Sequence, residues 1–270
     1  MVDESDAESY VRERVALCRA AHSAGRLSIA EACLGQAAAQ LPDDQSEVGR
    51  QLRLNVLLEQ SSIAQHRGDF ERAEAIAERA QTYALDSFGI GLQTARASAR
   101  RYFAWEAQRR FGDAYDANMA MAEQLSELED GSVVRLNCLT RALACAIKNA
   151  DRLAQKRAID EADAANFIWS VDDPEMVGWF LFWGGIAMLR RGNIQGADPV
   201  LSAANELKAP SWRWTTAYQL AVAHLLLLTP GQENEGRSKY EDASADAEAR
   251  GYQGLVRSIA QVFGPLLGEA

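Results

Sequence analysis

The feature that most constrains this chain is a pattern that returns about every forty residues. In the stretch Trp179 to Ala204, WFLFWGGIAMLRRGNIQGADPVLSAA, the sequence reads as a helix, a tight turn at Gly192-Asn193 and a second helix folded back on the first. Small and apolar residues face each other across that pair, Gly185 and Met188 before the turn and Ile194, Ala197, Leu201 and Ala204 after it. Counted from Gly192, the frame is Gly-x-Ile-x-x-Ala-x-x-x-Leu-x-x-Ala. It recurs as Gly25, Leu27, Ala30, Leu34 and Ala37, with Pro42 closing the helix, and as Gly68, Phe70, Ala73, Ala77 and Ala80. A third copy reads Gly112, Ala114, Ala117 and Met121, and a weaker one turns at Asn149-Ala150-Asp151 and continues to Ala154 and Ala158. The last turns near Gly231 and continues with Gly236, Tyr240 and Ala243. The turn residues 25, 68, 112, 149, 192 and 231 are spaced by 43, 44, 37, 43 and 39 residues.

The residue types follow from geometry. A turn between antiparallel helices needs a residue that accepts the left-handed region, hence Gly or Asn. Alanines on the second helix let the two backbones approach, and a large residue between them fills the adjacent gap. A single helix pair cannot bury its apolar face alone, so such units stack. The expected fold is all-α, an α-solenoid (superhelix) of about six antiparallel helix pairs with a C-terminal capping helix. First helices are expected near 6–24, 47–67, 93–111, 132–148, 175–191 and 212–229, and second helices near 26–40, 69–85, 113–128, 151–168, 193–207 and 233–250. The capping helix falls near 252–266, and the absence of a linker or low-complexity segment predicts one domain over 1–270. With only 6 Pro and 19 Gly among many Ala, Leu, Glu and Arg residues, composition favours helix throughout.

At these residues the sequence resembles the tetratricopeptide-repeat family, whose standard repeat is about 34 residues. The longer repeat here looks more like the helical-repeat regions of bacterial transcription regulators and signalling proteins. The resemblance implies that first helices line a groove, through positions thirteen, ten, six, three and two residues before each turn. Carried onto this chain, the frame selects Arg12, Arg19 and His22 in the first repeat and Asn55 and His66 in the second. In the third it selects Tyr102, Glu106, Arg109 and Arg110, and in the fourth Leu136, Leu139, Leu143 and Ile147. The fifth and sixth contribute Trp179, Phe182 and Arg190, with Trp183 beside them, and Tyr218. This inferred groove is polar and basic in its N-terminal half and apolar and aromatic in its C-terminal half. An extended peptide or amphipathic helix with one acidic or polar end and one hydrophobic end matches it. The competing reading is a tightly curled stack that buries these residues as plain core.

Five of the six Trp residues fall between 169 and 214 (Trp169, Trp179, Trp183, Trp212, Trp214). Such residues suit binding hot spots, and they suit a packed repeat junction equally. Arg96, Arg100, Arg101, Arg109 and Arg110 concentrate positive charge, either to pair with a carboxylate or phosphate on a partner or as a solvated face bridged to nearby acids.

Several function classes are set aside. A net charge of -10 argues against direct nucleic-acid binding, which needs a cationic surface. The acidic start, MVDESDAESY, predicts no secretory signal. The longest apolar run, 176–189, is shorter than the ~20 residues of a membrane span. Cys18, Cys33, Cys138 and Cys145 form no metal-like spacing and read as core residues of a cytoplasmic protein. His22 and His66 fall on successive groove positions, but three histidines without matched acids make no metal site. No nucleotide, zinc-protease or serine-nucleophile motif is present. The expected function is therefore a non-enzymatic, cofactor-free regulatory or signalling adaptor that binds a protein or peptide segment. A sensor for a small apolar ligand or signal peptide, and a self-assembly module forming a homodimer, are the alternatives.

Overall fold

A computed structural model of the protein describes residues 4–42, 46–89, 91–127, 132–164, 173–207 and 211–254. Among these residues there are twelve α-helices, one short 3-10 turn and no strand. They fall in two compact units, 1–104 with 249–255 and 105–248 with 256–270. The first holds α1 (Glu4–Ser23), α2 (Leu27–Ala39), α3 (Glu47–Arg67), α4 (Phe70–Phe88) and most of α5 (Leu92–Ala107). The second holds α6 (Phe111–Gln124), α7 (Ser132–Lys148), α8 (Arg152–Ala164), α9 (Pro174–Arg190), α10 (Ile194–Leu207), α11 (Trp212–Leu227) and nearly all of α12 (Glu233–Ala249). The expected capping helix lies, from 255 on, outside the described residues.

Side chains near the backbone decide where these helices start. Ser46, Asp69, Asp173 and Ser211 each accept a hydrogen bond from the N–H three residues on, which satisfies one of the free donors of the first turn. At Asp173 the following Pro174 adds a pre-set φ at the first helical position.

Helix ends are set by one turn geometry used five times. Gly25, Gly68, Arg109, Ala150 and Gly192 all have positive φ, between 55° and 82°. The N–H of each donates to the carbonyl three residues back, and the next N–H donates to the carbonyl five back, as in Gly68 to Gln65 and Asp69 to Ala64. The following helix begins two residues after each of them. The spacings become 43, 41, 41 and 42 residues. Two expected turns therefore move. The third lies at Arg109, not Gly112, which is inside α6, and the fourth lies at Ala150, not Asn149. An L residue in the left-handed region costs roughly 1–2 kcal/mol. The two hydrogen bonds hold it there, so the turn survives without glycine.

Corrected in this way, the fifth residue after each turn is Ala30, Ala73, Ala114, Gln155 and Ala197, with Gly236 after Gly231, and all six are buried. Backbone contact there is close. A Cβ on Gly236 would lie 2.7 Å from the Leu227 nitrogen, and one on Gly185 would lie 2.6 Å from Leu201 Cδ2, across the α9–α10 pair.

In the first unit α1 packs on α2 and α3, and α3 on α4. Leu54, Leu58, Ala80, Ala84 and Ala97 form one cluster of its core. In the second unit α7 touches α6, α8 and α9, while α9 touches α10 and α11. First helices thus lie beside first helices. Because α7 is flanked on three sides, Leu136, Leu139, Leu143 and Ile147 are fully buried. They are core, not groove, and each contributes about 1.5–3 kcal/mol of transfer free energy. Cys138 and Cys145 lie among them, and burial pushes the Cys138 thiol up to about 12. No helix among the described residues is long and apolar enough to cross a membrane.

Candidate functional site

The recurring turn supplies a coordinate for side chains. In the second unit the residues three and two before the left-handed position are Glu106 and Ala107, Ile147 and Lys148, and Leu189 and Arg190. Each cation reaches back to the preceding repeat. Lys148 Nζ donates to Glu106 Oε1 at 2.6 Å, and Arg190 Nη1 donates to the Ile147 carbonyl. Arg141 Nη1 adds a second positive charge 3.8 Å from Glu106 Oε2. The Glu106 and Lys148 side chains are each only 3% exposed, so both charges leave water and their mutual hydrogen bond and attraction, with Arg141 beside them, offset part of that cost. The ammonium also sits 5.5 Å over the ring of Trp183. On α11, His224 is fully buried. Burial first, and the Arg190 charge second, push its pKa down to about 4, so the ring is neutral at pH 7.

Trp183 joins this charge network to an aromatic one. Its ring meets Phe182 edge to face at 5.5 Å, Phe182 meets Trp179 at 5.6 Å, and Trp179 meets Trp214 at 4.9 Å. Trp214 stacks on Tyr218 at 6.3 Å. Helical spacing on α9 and α11 brings these rings to one place, since residues three or four apart share a face. Phe182 and Trp214 are buried and form a floor, with Trp214 Nε1 donating to Asn205 Oδ1 at 3.1 Å. Trp179, Trp183 and Tyr218 remain half-buried above it. Of the other tryptophans, Trp212 donates instead to Asp246 at 2.5 Å, and Trp169 lies outside the described residues.

The remaining expected groove residues are dispersed. In the first unit Arg19 Nε pairs with the buried Glu59 at 2.7 Å, and Tyr102 is half-buried on α5. Arg12 and Asn55 line an open depression of about 440 Å³ with Glu47, Val48, Gln51 and Leu52. His66 donates from Nδ1 to the Ser62 carbonyl at 2.6 Å, and its ring meets His22 edge to face at 4.6 Å. Arg109 and Arg110 belong to the α5–α6 turn. Arg110 bridges to Asp113 at 3.1 Å and covers the Trp105 ring at 4.6 Å. Arg101 bridges to Glu78 at 3.0 Å, so Arg101 and Arg110 of the arginine concentration each make a local ion pair.

Sequence reasoning passed over Lys148 and Arg141, and it named Trp214 only within the tryptophan cluster, not as its buried floor. The signal for Lys148 was present. Counting back from 109 and 150 in place of 112 and 149 puts Glu106 and Lys148 at the positions of His22 and His66. Among the described residues no three of His, Cys, Asp and Glu come together as a metal-holding set. Comparison with protein-family models and with curated proteins finds no match for this chain.

Proposed function

We propose that this protein is a non-enzymatic binding scaffold, a regulatory adaptor of the cytoplasm, whose second unit takes up a peptide segment of a partner protein. The observation that supports this reading is the set of half-buried rings Trp179, Trp183 and Tyr218, mounted on the buried Phe182 and Trp214. Rigid aromatic rings held by their neighbours lose little entropy on binding and are favoured as hot spots. Beside them the Arg141–Glu106–Lys148 group carries one more positive than negative charge, so a segment with an apolar residue followed by an acidic one suits the pair of surfaces. The free, buried thiols of Cys18, Cys138 and Cys145 fit a reducing compartment. A resemblance to long-repeat tetratricopeptide proteins agrees with this use.

The test is a pull-down with wild type and with a Trp179→Ala, Tyr218→Ala variant whose helicity circular dichroism has verified. Phe182 and Trp214 are left intact because they are core. Capture of a protein by wild type and its loss in the folded variant supports the reading, and equal capture by both ends it. Capture by neither, with a small apolar compound co-purifying with wild type alone, replaces it with the sensor reading.

A further inference from the structure

The first unit holds a turn and a helix start that come from far along the chain. Residues 250–254 lie some 230 positions after α1, yet they belong to the same compact unit. Tyr252 is 0% exposed. Its hydroxyl donates to the His22 carbonyl at 2.8 Å, in the last turn of α1, where that oxygen also accepts from the Gly25 N–H. Its ring lies near-parallel to His22 at 5.8 Å and edge-on to His66 at 5.3 Å. Arg250 Nη1 lies 3.5 Å from the Ala24 carbonyl oxygen. Glycine stands on either side of the tyrosine, required by backbone contact at Gly254 and favoured by φ at Gly251. A Cβ on Gly254 would overlap the Gln65 carbonyl oxygen, and Gly251 has φ of 78° with Arg67 Nη1 2.7 Å from where its Cβ would be.

The place this segment occupies is defined by the repeat. His22 is the residue three before the first turn, and Gln65 and His66 are those three and two before the second. In the second unit the same positions are filled by Glu106, Ile147, Lys148 and Arg190, which satisfy one another directly. In the first unit the two rings meet, and a tyrosine from a distant segment completes the set. Its contacts resemble those of a bound peptide: one buried ring, one hydroxyl hydrogen bond to a helix end, a close backbone approach at Gly254 and a left-handed Gly251, together Gly-Tyr-x-Gly.

We propose that Arg250–Gly254 is a built-in ligand that fills a tyrosine-reading site on the first unit, and that a partner segment of the same Gly-Tyr-x-Gly chemistry displaces it. This rests on the reading of first helices as a binding surface, but it concerns another unit and other residues than Trp179 and Tyr218. An internal ligand competes at an effective concentration on the order of millimolar, so an external peptide is held off until the internal one is removed.

The experiment uses the full-length chain and a fluorescent peptide of residues 248–254, EARGYQG. Fluorescence anisotropy compares wild type, Tyr252→Ala and Gly254→Ala. The expected result is binding to both variants at least about tenfold tighter than to wild type, by the effective-concentration argument, and none by the same peptide with its tyrosine replaced by alanine. Gly254→Ala pushes the segment away without truncating any ring, so it guards against a cavity left by removing the Tyr252 side chain. Equal binding to all three chains, no binding to any, or unfolding of both variants overturns the proposal, since in each case the segment is ordinary core. The pull-down with the Trp179 and Tyr218 variant is unaffected by that outcome, so either idea can fail alone.

Discussion

Three and two residues before the left-handed turn residue, the first unit carries His22, Gln65 and His66, and the second carries Glu106, Ile147, Lys148 and Arg190. The backbone is the same, and the chemistry put on it is opposite. Rings in the first unit touch at 4.6 Å and meet the ring of Tyr252. Charges in the second unit are paired across repeats and leave the neighbouring aromatic rings half-buried. One coordinate of the repeat thus serves to seat a segment in one place and to lock helices in the other. The turn fixes where a side chain points, and the residue type fixes what it does there.

The sharpest way to break this contrast is to remove one member of the buried pair. Lys148→Met leaves the Glu106 carboxylate, 3% exposed, with only Arg141 at 3.8 Å. Stranding a buried charge costs about 3–5 kcal/mol. Urea unfolding should show that loss, and adding Glu106→Gln to the same chain should recover at least half of it. A loss under about 1 kcal/mol, or no recovery, means the pair is not the lock inferred here.

His224, in the second unit, gives the next largest effect. Its folded pKa, about 4, lies below the ordinary value near 6.5. Between those values the unfolded chain binds the proton and the folded chain does not, so folding stability rises with pH across this window. The contribution is complete above the unfolded value and is lost as pH falls toward 4. Between pH 7 and pH 5 the loss is about 2 kcal/mol for a full shift of this size. His224→Leu should flatten that part of the stability profile. An unchanged slope would show that the buried ring does not stay neutral.

How much of this was legible beforehand depends on which residues wrote it. The twelve helices and their pairing were readable because apolar periodicity and caps such as Asp173-Pro174 and Ser211 lie within a few residues of what they determine. The turns at Gly25, Gly68 and Gly192 were readable because glycine marks positive φ. At Arg109 and Ala150 the same conformation is held by hydrogen bonds and carries no mark in the residue type, so the frame slipped by three and by one. That slip assigned Arg109 and Arg110 to a groove and passed over Lys148. Tyr252 was beyond reach for another reason. Its partners His22 and His66 are far away in sequence, and no local pattern encodes a contact made by a segment from the other end of the chain.

Smaller changes sharpen the comparison within the first unit. Tyr252→Phe keeps the ring between the histidines and removes only the hydroxyl that donates to the His22 carbonyl at 2.8 Å. The expected loss is about 1 kcal/mol, the net worth of one such hydrogen bond. Hydrogen exchange should localise it to the amides of 251–254 if the segment is a seated ligand. A loss spread evenly over α1 and α3 would instead make Tyr252 part of the unit's core.

The smallest effect runs the other way and tests the turn itself. Ala150 holds φ of 55° without the freedom of glycine, while its counterparts Gly25, Gly68 and Gly192 have φ of 72°, 82° and 75°. Replacing Ala150 by Gly relieves a left-handed strain of roughly 1–2 kcal/mol and gives back part of it as chain entropy in the unfolded state. A net stabilisation of about 0.5–1 kcal/mol remains, read as a higher urea midpoint at unchanged slope. The identical change at Ala146, inside α7, should destabilise by a similar amount. Opposite signs from one substitution four residues apart are what a repeat turn at 150 requires. Equal signs would return the fourth turn to Asn149, and with it Lys148 would lose its equivalence to His66.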